Sequence, residues 1–235
     1  GAATRDLLAM CPQDDDHQGY FLSREGDWLP SSLNALIFHE SMATGLVLYE
    51  PMVVNGLLQT GDYARSLMTR EQKWTSEEIE SAIRVRNERK QILNRPAPAR
   101  FTFFMHEQAL RNMVCSSKVM HDQLLFLVLV AALHNVTLRV VPCERVEQGA
   151  LGGPFQMMTF HQHRPLVYLD QLETGLFLEE EEFVAPYRDR QVALLADLAW
   201  DAGQSREFVA SLATEFDRGS RTRHGGIYQL EEEQL

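Results

Sequence analysis

The stretch from 100 to 141 constrains the fold of this chain more than any other part of the sequence. Apolar and aromatic residues alternate over Arg100–His106, which is typical of a strand. Ser116 or Ser117 then caps a long, buried helix, and the β-branched run Val136–Val141 predicts a second strand. A strand, a helix and a strand of these lengths form a βαβ unit, so the two strands should be parallel.

Helices are predicted on both sides of this unit. A helix is expected over 30–49, and Thr60 and Thr75 are expected to cap two further helices. A turn at 163–165 between two apolar runs predicts a hairpin. Helices over 185–202 and 205–216 close the chain. The fold class is therefore α+β, with a helical N-terminal third, a small mixed sheet with one βαβ unit and a hairpin, and two closing C-terminal helices.

Three regions are expected along the 235 residues. Residues 1–27 are weakly patterned and are interpreted as the truncated or linker end of an upstream region. Residues 28–216 carry the periodic apolar pattern of one folded domain. Residues 217–235 are polar and predict a flexible tail.

Charge and cysteine content exclude several classes of protein. The net charge is −11 and the pI about 5.2, whereas a domain that grips nucleic acid usually presents a basic face. Three cysteines without a CxxC pair predict a reduced, cytoplasmic setting. The longest apolar run, 124–133, is too short to cross a bilayer, so no membrane partner is expected.

Candidate chemical groups are few and poorly matched to catalysis. His161 and His163 share a face of a strand end, but zinc needs three or four ligands. His106 and Glu107 could form an acid–base pair, yet adjacent strand residues point to opposite faces. Cys115 precedes a helix without an evident base. The sequence therefore predicts no catalytic residues, no metal and no cofactor.

Glu40 marks a candidate site. It falls on the apolar face of the first helix, where a carboxylate is costly unless it is paired. Either an arginine of the following basic helix neutralises it, or it lines a polar pocket. That basic helix carries Arg84, Arg86, Arg89 and Lys90, which form a solvated helix face or contact an anion. We predict a pocket between the helical third and the sheet, walled by Glu40, Glu50, Gln59, Tyr63, Arg86, Phe155 and Tyr168.

Eight motifs follow one another in order from 56 to 213. They are GLLQTGDYAR, RNERKQIL, HEQALR, VMHDQLLFL, VTLRVVP, GPFQMMTF, PLVYLD and QSREFVASLA. Together they resemble a domain of largely unknown function that follows an Xre/Cro-type helix-turn-helix in actinobacterial transcription regulators and is sometimes described as antitoxin-like. The departures from that family are Asn55 for a usual proline, Lys90 for a glutamine, Asp170 for a glutamate, and 115–117 where a glycine is usual.

The resemblance implies a regulatory domain in transcription regulation. It would bind a small-molecule effector or a small partner protein, form a homodimer, and act on DNA through an upstream helix-turn-helix that this chain lacks. One alternative is an antitoxin-like module that masks a small partner protein. A second is a biosynthetic enzyme recruited on the same fold.

Overall fold

The computed structural model describes residues 20–23, 31–72, 74–145, 152–171 and 174–232. Helices occupy both ends of this part of the chain, and the fold class is α+β as predicted. The α-helices are α1 (Ser31–Met42), α2 (Gly61–Glu71), α3 (Ser76–Arg89), α4 (Glu107–Arg111), α5 (Ser117–Val130), α6 (Glu181–Ala185), α7 (Val192–Leu198) and α8 (Ala202–Glu232). Short 3-10 turns lie at Gly56–Leu58, Lys90–Asn94 and Cys143–Arg145.

One mixed sheet organises the domain. Its strands are β1 (Tyr20–Ser23), β2 (Gly45–Glu50), β3 (Arg100–His106), β4 (Val136–Val141), β5 (Phe155–Thr159), β6 (Leu166–Asp170) and β7 (Thr174–Leu178), in the order β1-β7-β6-β5-β2-β3-β4. The β3 and β4 strands are parallel and linked through α5, which confirms the predicted βαβ unit. The predicted hairpin is confirmed as the antiparallel pair β5 and β6.

Helices cover both faces of the sheet because the central strands are buried on both sides. In β2, Leu46 and Leu48 point into a large core shared with α1, α5 and α8. Tyr49 points the other way, into a smaller core with α6 and α7. Alternation of this kind is the expected result of the two-residue strand period.

The N-terminal third is mostly helical as predicted, but the end of its first helix is corrected. The predicted helix over 30–49 ends at Met42, and Gly45–Glu50 is strand β2, paired with β3 and β5. The apolar spacing of this region also fits a helix, which is why periodicity alone misplaced it. Pairing on both edges with burial on both faces favours the strand, since β-branched and aromatic residues fit a pleated sheet.

Helix boundaries at the C-terminal end also differ from the prediction. The expected helix over 185–202 begins earlier, at Glu181, contains a π-helical turn over Pro186–Gln191, and ends at Leu198. The last helix begins at Ala202 and its backbone continues to Glu232, past the expected end near 216. Among the described residues, none of the helices has the length and apolar character needed to span a membrane.

Candidate functional site

A cavity of about 470 Å³ lies where α1 and α3 meet one end of the central strands of the sheet. Three strand ends meet there: the end of β2, the start of β5 and the end of β6. The segment 50–56 that follows β2 forms another wall. Small-molecule sites usually have volumes of this order and combine apolar walls with a few polar groups.

Five of the seven predicted wall residues line this cavity. They are Glu50, Gln59, Arg86, Phe155 and Tyr168. The other two, Glu40 and Tyr63, have no exposed surface and lie behind the wall. The prediction that they line the cavity is therefore corrected: they support its wall from behind. Whether the five bind a ligand stays a prediction.

Glu40 forms a buried ion pair that fixes α1 against α3. Arg89 donates from Nε to Glu40 Oε2 and from Nη2 to Oε1, both at 2.6 Å. Gln156 on β5 donates a third hydrogen bond to Oε1, also at 2.6 Å. Burial lowers the pKa of Arg89, but the charge and hydrogen bonds of Glu40 outweigh burial and raise it. The predicted pairing of Glu40 with an arginine of the basic helix is confirmed.

The four basic residues of this helix have different surroundings. Arg86 and Arg89 line the cavity. Arg84 is exposed and donates to Ser81 Oγ. Lys90 donates to Asn87 and lies over the ring of Phe126. The helix therefore turns two guanidinium groups toward the cavity and leaves the others on a solvated face.

Arg86 forms no ion pair in the described part of the chain. No carboxylate there lies within 4.0 Å of its guanidinium, and its Nη1 is 4.0 Å from Met68 Sδ. Burial and the neighbouring charge of Arg89 lower the pKa of Arg86 to about 10, and the more distant charges of Glu71 and Asp170 oppose this shift. The side chain therefore stays cationic at neutral pH, half-buried beside a second cation.

Segment 54–60 brings polar groups into the cavity wall. Asn55 Oδ1 accepts from Leu57 N, and Gln59 Nε2 donates to the carbonyl of Val54. Tyr63 accepts from Val54 N and so supports the segment from behind. Gln59 is buried, and its Oε1 accepts no hydrogen bond from any described group. An unpaired buried acceptor is rare and costly.

Glu50, at the end of β2, is the acid of the cavity whose pKa is shifted most from its ordinary value. Burial raises its pKa to about 7. A hydrogen bond from Asn55 Nδ2, 3.3 Å from Oε1, favours the charged form, and the charge of Asp170 disfavours it. Arg89 favours the charged form more weakly. The cavity therefore holds a carboxyl group that exchanges its proton near neutral pH.

Replacing Glu50 with glutamine should change how stability depends on pH. A native pKa of about 7, above the ordinary glutamate value of 4.5, means that the native state holds the proton more tightly than the unfolded state. This stabilising contribution is complete below about pH 4.5 and is lost as pH rises to about 7, at roughly 1.4 kcal/mol per unit. Above pH 7, Glu50→Gln should be more stable than the wild type by about 1–3 kcal/mol.

Urea unfolding from pH 4.5 to pH 8 measures this difference. Glu207→Gln, at an exposed position on α8, is the matched control and should stay within about 0.5 kcal/mol of the wild type. A Glu50→Gln variant that tracks the wild type at every pH would show that the Glu50 carboxyl is solvated like a surface acid.

The aromatic wall depends on a glycine. A Cβ on Gly175 would lie 2.8 Å from Tyr168 Cε2 and 2.8 Å from Ser32 Cβ, closer than real contacts allow. The Tyr168 ring therefore packs on bare backbone, with Phe177 at 4.8 Å between ring centroids. Phe155 packs against Tyr187 of the π-helical turn. These contacts hold the two aromatic wall residues in place from behind.

The other candidate groups lie away from the cavity. His106 Nδ1 accepts from Gln108 N, and Glu107 bonds Arg111 and the backbone N–H of Cys143. Burial raises the pKa of the Cys115 thiol to about 11, which opposes thiolate formation. His161 and His163 are exposed in the β5–β6 turn. Within the described ranges, no three His, Cys, Asp or Glu side chains cluster in a way that could hold a metal ion.

The cavity includes residues that sequence reasoning did not select. Trp74 and Asp170 line it, and Gln156 both lines it and bonds Glu40. Gln123 of α5 supports segment 54–60 through two hydrogen bonds. A signal existed for Gln156, a polar residue between Phe155 and Met157, but not for Gln123, which directly follows His121 and Asp122. Such residues need a partner when buried, although the sequence does not name it.

Comparison with protein families places these residues in one domain. The profile of a domain of unknown function, DUF5753, matches residues 33–211. A comparison with curated proteins gives no match. The matched region includes all the residues that line the cavity except Ser32, and it exceeds half of the 235 residues. The chain therefore belongs to the DUF5753 family.

Proposed function

We propose that this chain is the effector-sensing domain of a transcription regulator and that a small molecule binds in the cavity. The observation that carries the proposal is the cavity itself, which combines apolar walls with a cationic side chain, Arg86, that forms no ion pair among the described residues. Pockets that bind small molecules have this composition.

The link to transcription rests on the sequence resemblance and on charge. The resembling domains follow an Xre/Cro-type helix-turn-helix, and a net charge of −11 argues against direct contact with DNA. In our proposal this cytoplasmic chain dimerises, binds the effector and alters operator binding by an upstream domain. It has a binding role and no catalytic one. The upstream reading frame should encode a helix-turn-helix, and its absence there would contradict this part of the proposal.

A thermal-shift screen of a metabolite library tests the sensing role. A ligand at 100 times its Kd stabilises the native state by about 2.7 kcal/mol, which raises the Tm by roughly 5–10 °C for a chain of this size. Val85→Phe should abolish the shift, because Val85 lines the cavity and the larger ring fills it. Val128→Phe, at a half-buried position on α5 outside the cavity, is the matched control and should keep the shift.

The result that would overturn the sensing role is equally direct. A library in which no compound stabilises the chain would contradict the sensing role. Compounds that shift both phenylalanine variants as much as the wild type would place binding outside the cavity. A compound that binds in the cavity without changing operator affinity of the regulator would remove the regulatory role.

Two observations favour other functions. Glu50, with a pKa near 7 in a cavity, has the properties of a general acid or base, which supports the recruited-enzyme alternative. Turnover of a cavity ligand by the wild type, abolished by Glu50→Gln, would establish this alternative.

Leu125 and Leu129 are 43% and 70% exposed one turn apart on α5, as the partner-masking alternative requires. Complex formation lost in Leu129→Glu would support that alternative.

A further inference from the structure

One cation of the cavity wall forms no ion pair among the described residues, and its chemistry is complementary to one kind of ligand. Arg86 is half-buried and has no carboxylate of the described part of the chain within 4.0 Å. Glu71 and Asp170 act on it only from a longer distance. The neighbouring Arg89 differs, because Glu40 occupies two of its nitrogens. The cavity wall therefore presents one guanidinium group that is available for a direct ion pair.

We propose that the cavity binds a small organic acid, with its carboxylate on Arg86. The inference rests on the proposed function and names the ligand class of the same site. Arginine binds carboxylates through two parallel hydrogen bonds, and such charge-assisted bonds are stronger than neutral ones. The apolar body of the ligand would pack on Leu36, Val85 and Trp74, which also line the cavity.

The charges around the cavity favour a monocarboxylate over other ligands. Glu50, Glu71 and Asp170 also line it, and like charges would oppose a ligand with two or more negative charges. A cation would find these acids but would also meet Arg86. Glu50 and Asp170 already accept hydrogen bonds, from Asn55 and Tyr168, whereas Arg86 lacks an anionic acceptor. The strongest unmet interaction in the wall is therefore the one with an anion.

The test compares matched probes on the whole chain by isothermal titration calorimetry. The probes are 3-phenylpropionate with its alcohol and amine analogues, and octanoate with octan-1-ol, each up to millimolar concentrations. We expect saturable binding of the acids, with the alcohols at least about 10-fold weaker, since an ionic hydrogen bond is worth more than a neutral one. Arg86→Gln should weaken the acids by about 10-fold or more and leave the alcohols unchanged.

Arg84→Gln is the matched control, because Arg84 lies on the same helix, is exposed, and donates to Ser81 outside the cavity. It should bind every probe as the wild type does. Arg86→Gln removes no ion pair among the described residues, so it should unfold at the wild-type Tm. Binding of the alcohols reports that its cavity is intact. Arg86→Lys should recover part of the acid affinity, since it restores the charge without the planar fork.

Several results would overturn the acid class. These are stronger binding of the amine than of the acid, equal losses in Arg86→Gln and Arg84→Gln, or no binding of either acid. These results do not contradict the sensing role if the library screen finds a neutral or cationic ligand that binds in the cavity. Failure of the library screen itself removes both. If acids bind without changing the operator affinity of the regulator, the proposed ligand class is supported and the regulatory role is contradicted.

Discussion

Replacing Arg89 with methionine should lower the free energy of unfolding by about 3–5 kcal/mol, because one partner of a buried ion pair is removed while the other stays buried. Glu40 has no exposed surface, and Arg89 supplies two of the three hydrogen bonds that its carboxylate accepts from described residues. Gln156 supplies the third and cannot neutralise the charge. Chemical denaturation at neutral pH measures the loss.

The matched control is the same substitution at an exposed pair. Arg65 and Glu80 join α2 to α3 with side chains 43% and 54% exposed. Arg65→Met should therefore cost no more than about 1 kcal/mol. Adding Glu40→Gln to Arg89→Met should recover part of the loss, since the amide keeps an acceptor for Gln156 without the charge. Equal losses in the two methionine variants would contradict a dominant role for the buried pair.

This pair illustrates what the sequence could and could not predict about the site. A carboxylate on an apolar helix face needs a partner, so the pairing of Glu40 with an arginine of α3 was predictable. The choice of Arg89 over Arg86 was not, since it depends on the rotation of α3 against α1. Gln156, more than a hundred residues from Glu40 in sequence, was also beyond local patterns.

The fold also contains one strand that the sequence predicts and one that it does not. Val136–Val141 lies before a proline and is rich in β-branched residues, so its bounds were predicted correctly. The apolar residues of Gly45–Glu50 suit a helix as well as a strand. The residues that pair with Gly45 lie 55 and 114 positions further along the chain. Long-range pairing and burial on both faces determine such a segment, and neither is visible in a short window.

Replacing Gln123 with leucine should cost about 2–5 kcal/mol, because it leaves two backbone groups of the cavity wall without partners. Gln123 is wholly buried on α5; its Oε1 accepts from Thr60 N at 2.6 Å and its Nε2 donates to Leu58 O at 2.7 Å. Leucine fills a similar volume, so the loss comes from the unpaired N–H and C=O groups and not from a cavity. Urea unfolding measures it.

The same substitution should weaken ligand binding, which separates Gln123 from an ordinary core residue. Leu58 and Thr60 flank Gln59, so a carboxamide that holds both also sets the position of the Oε1 acceptor in the wall. Gln108→Leu, at an exposed position on α4, is the control and should change stability by less than about 0.5 kcal/mol. Gln123→Leu with full stability would show that segment 54–60 is held by its own contacts. Full ligand affinity in a destabilised variant would show that Gln59 keeps its place without the bond to α5.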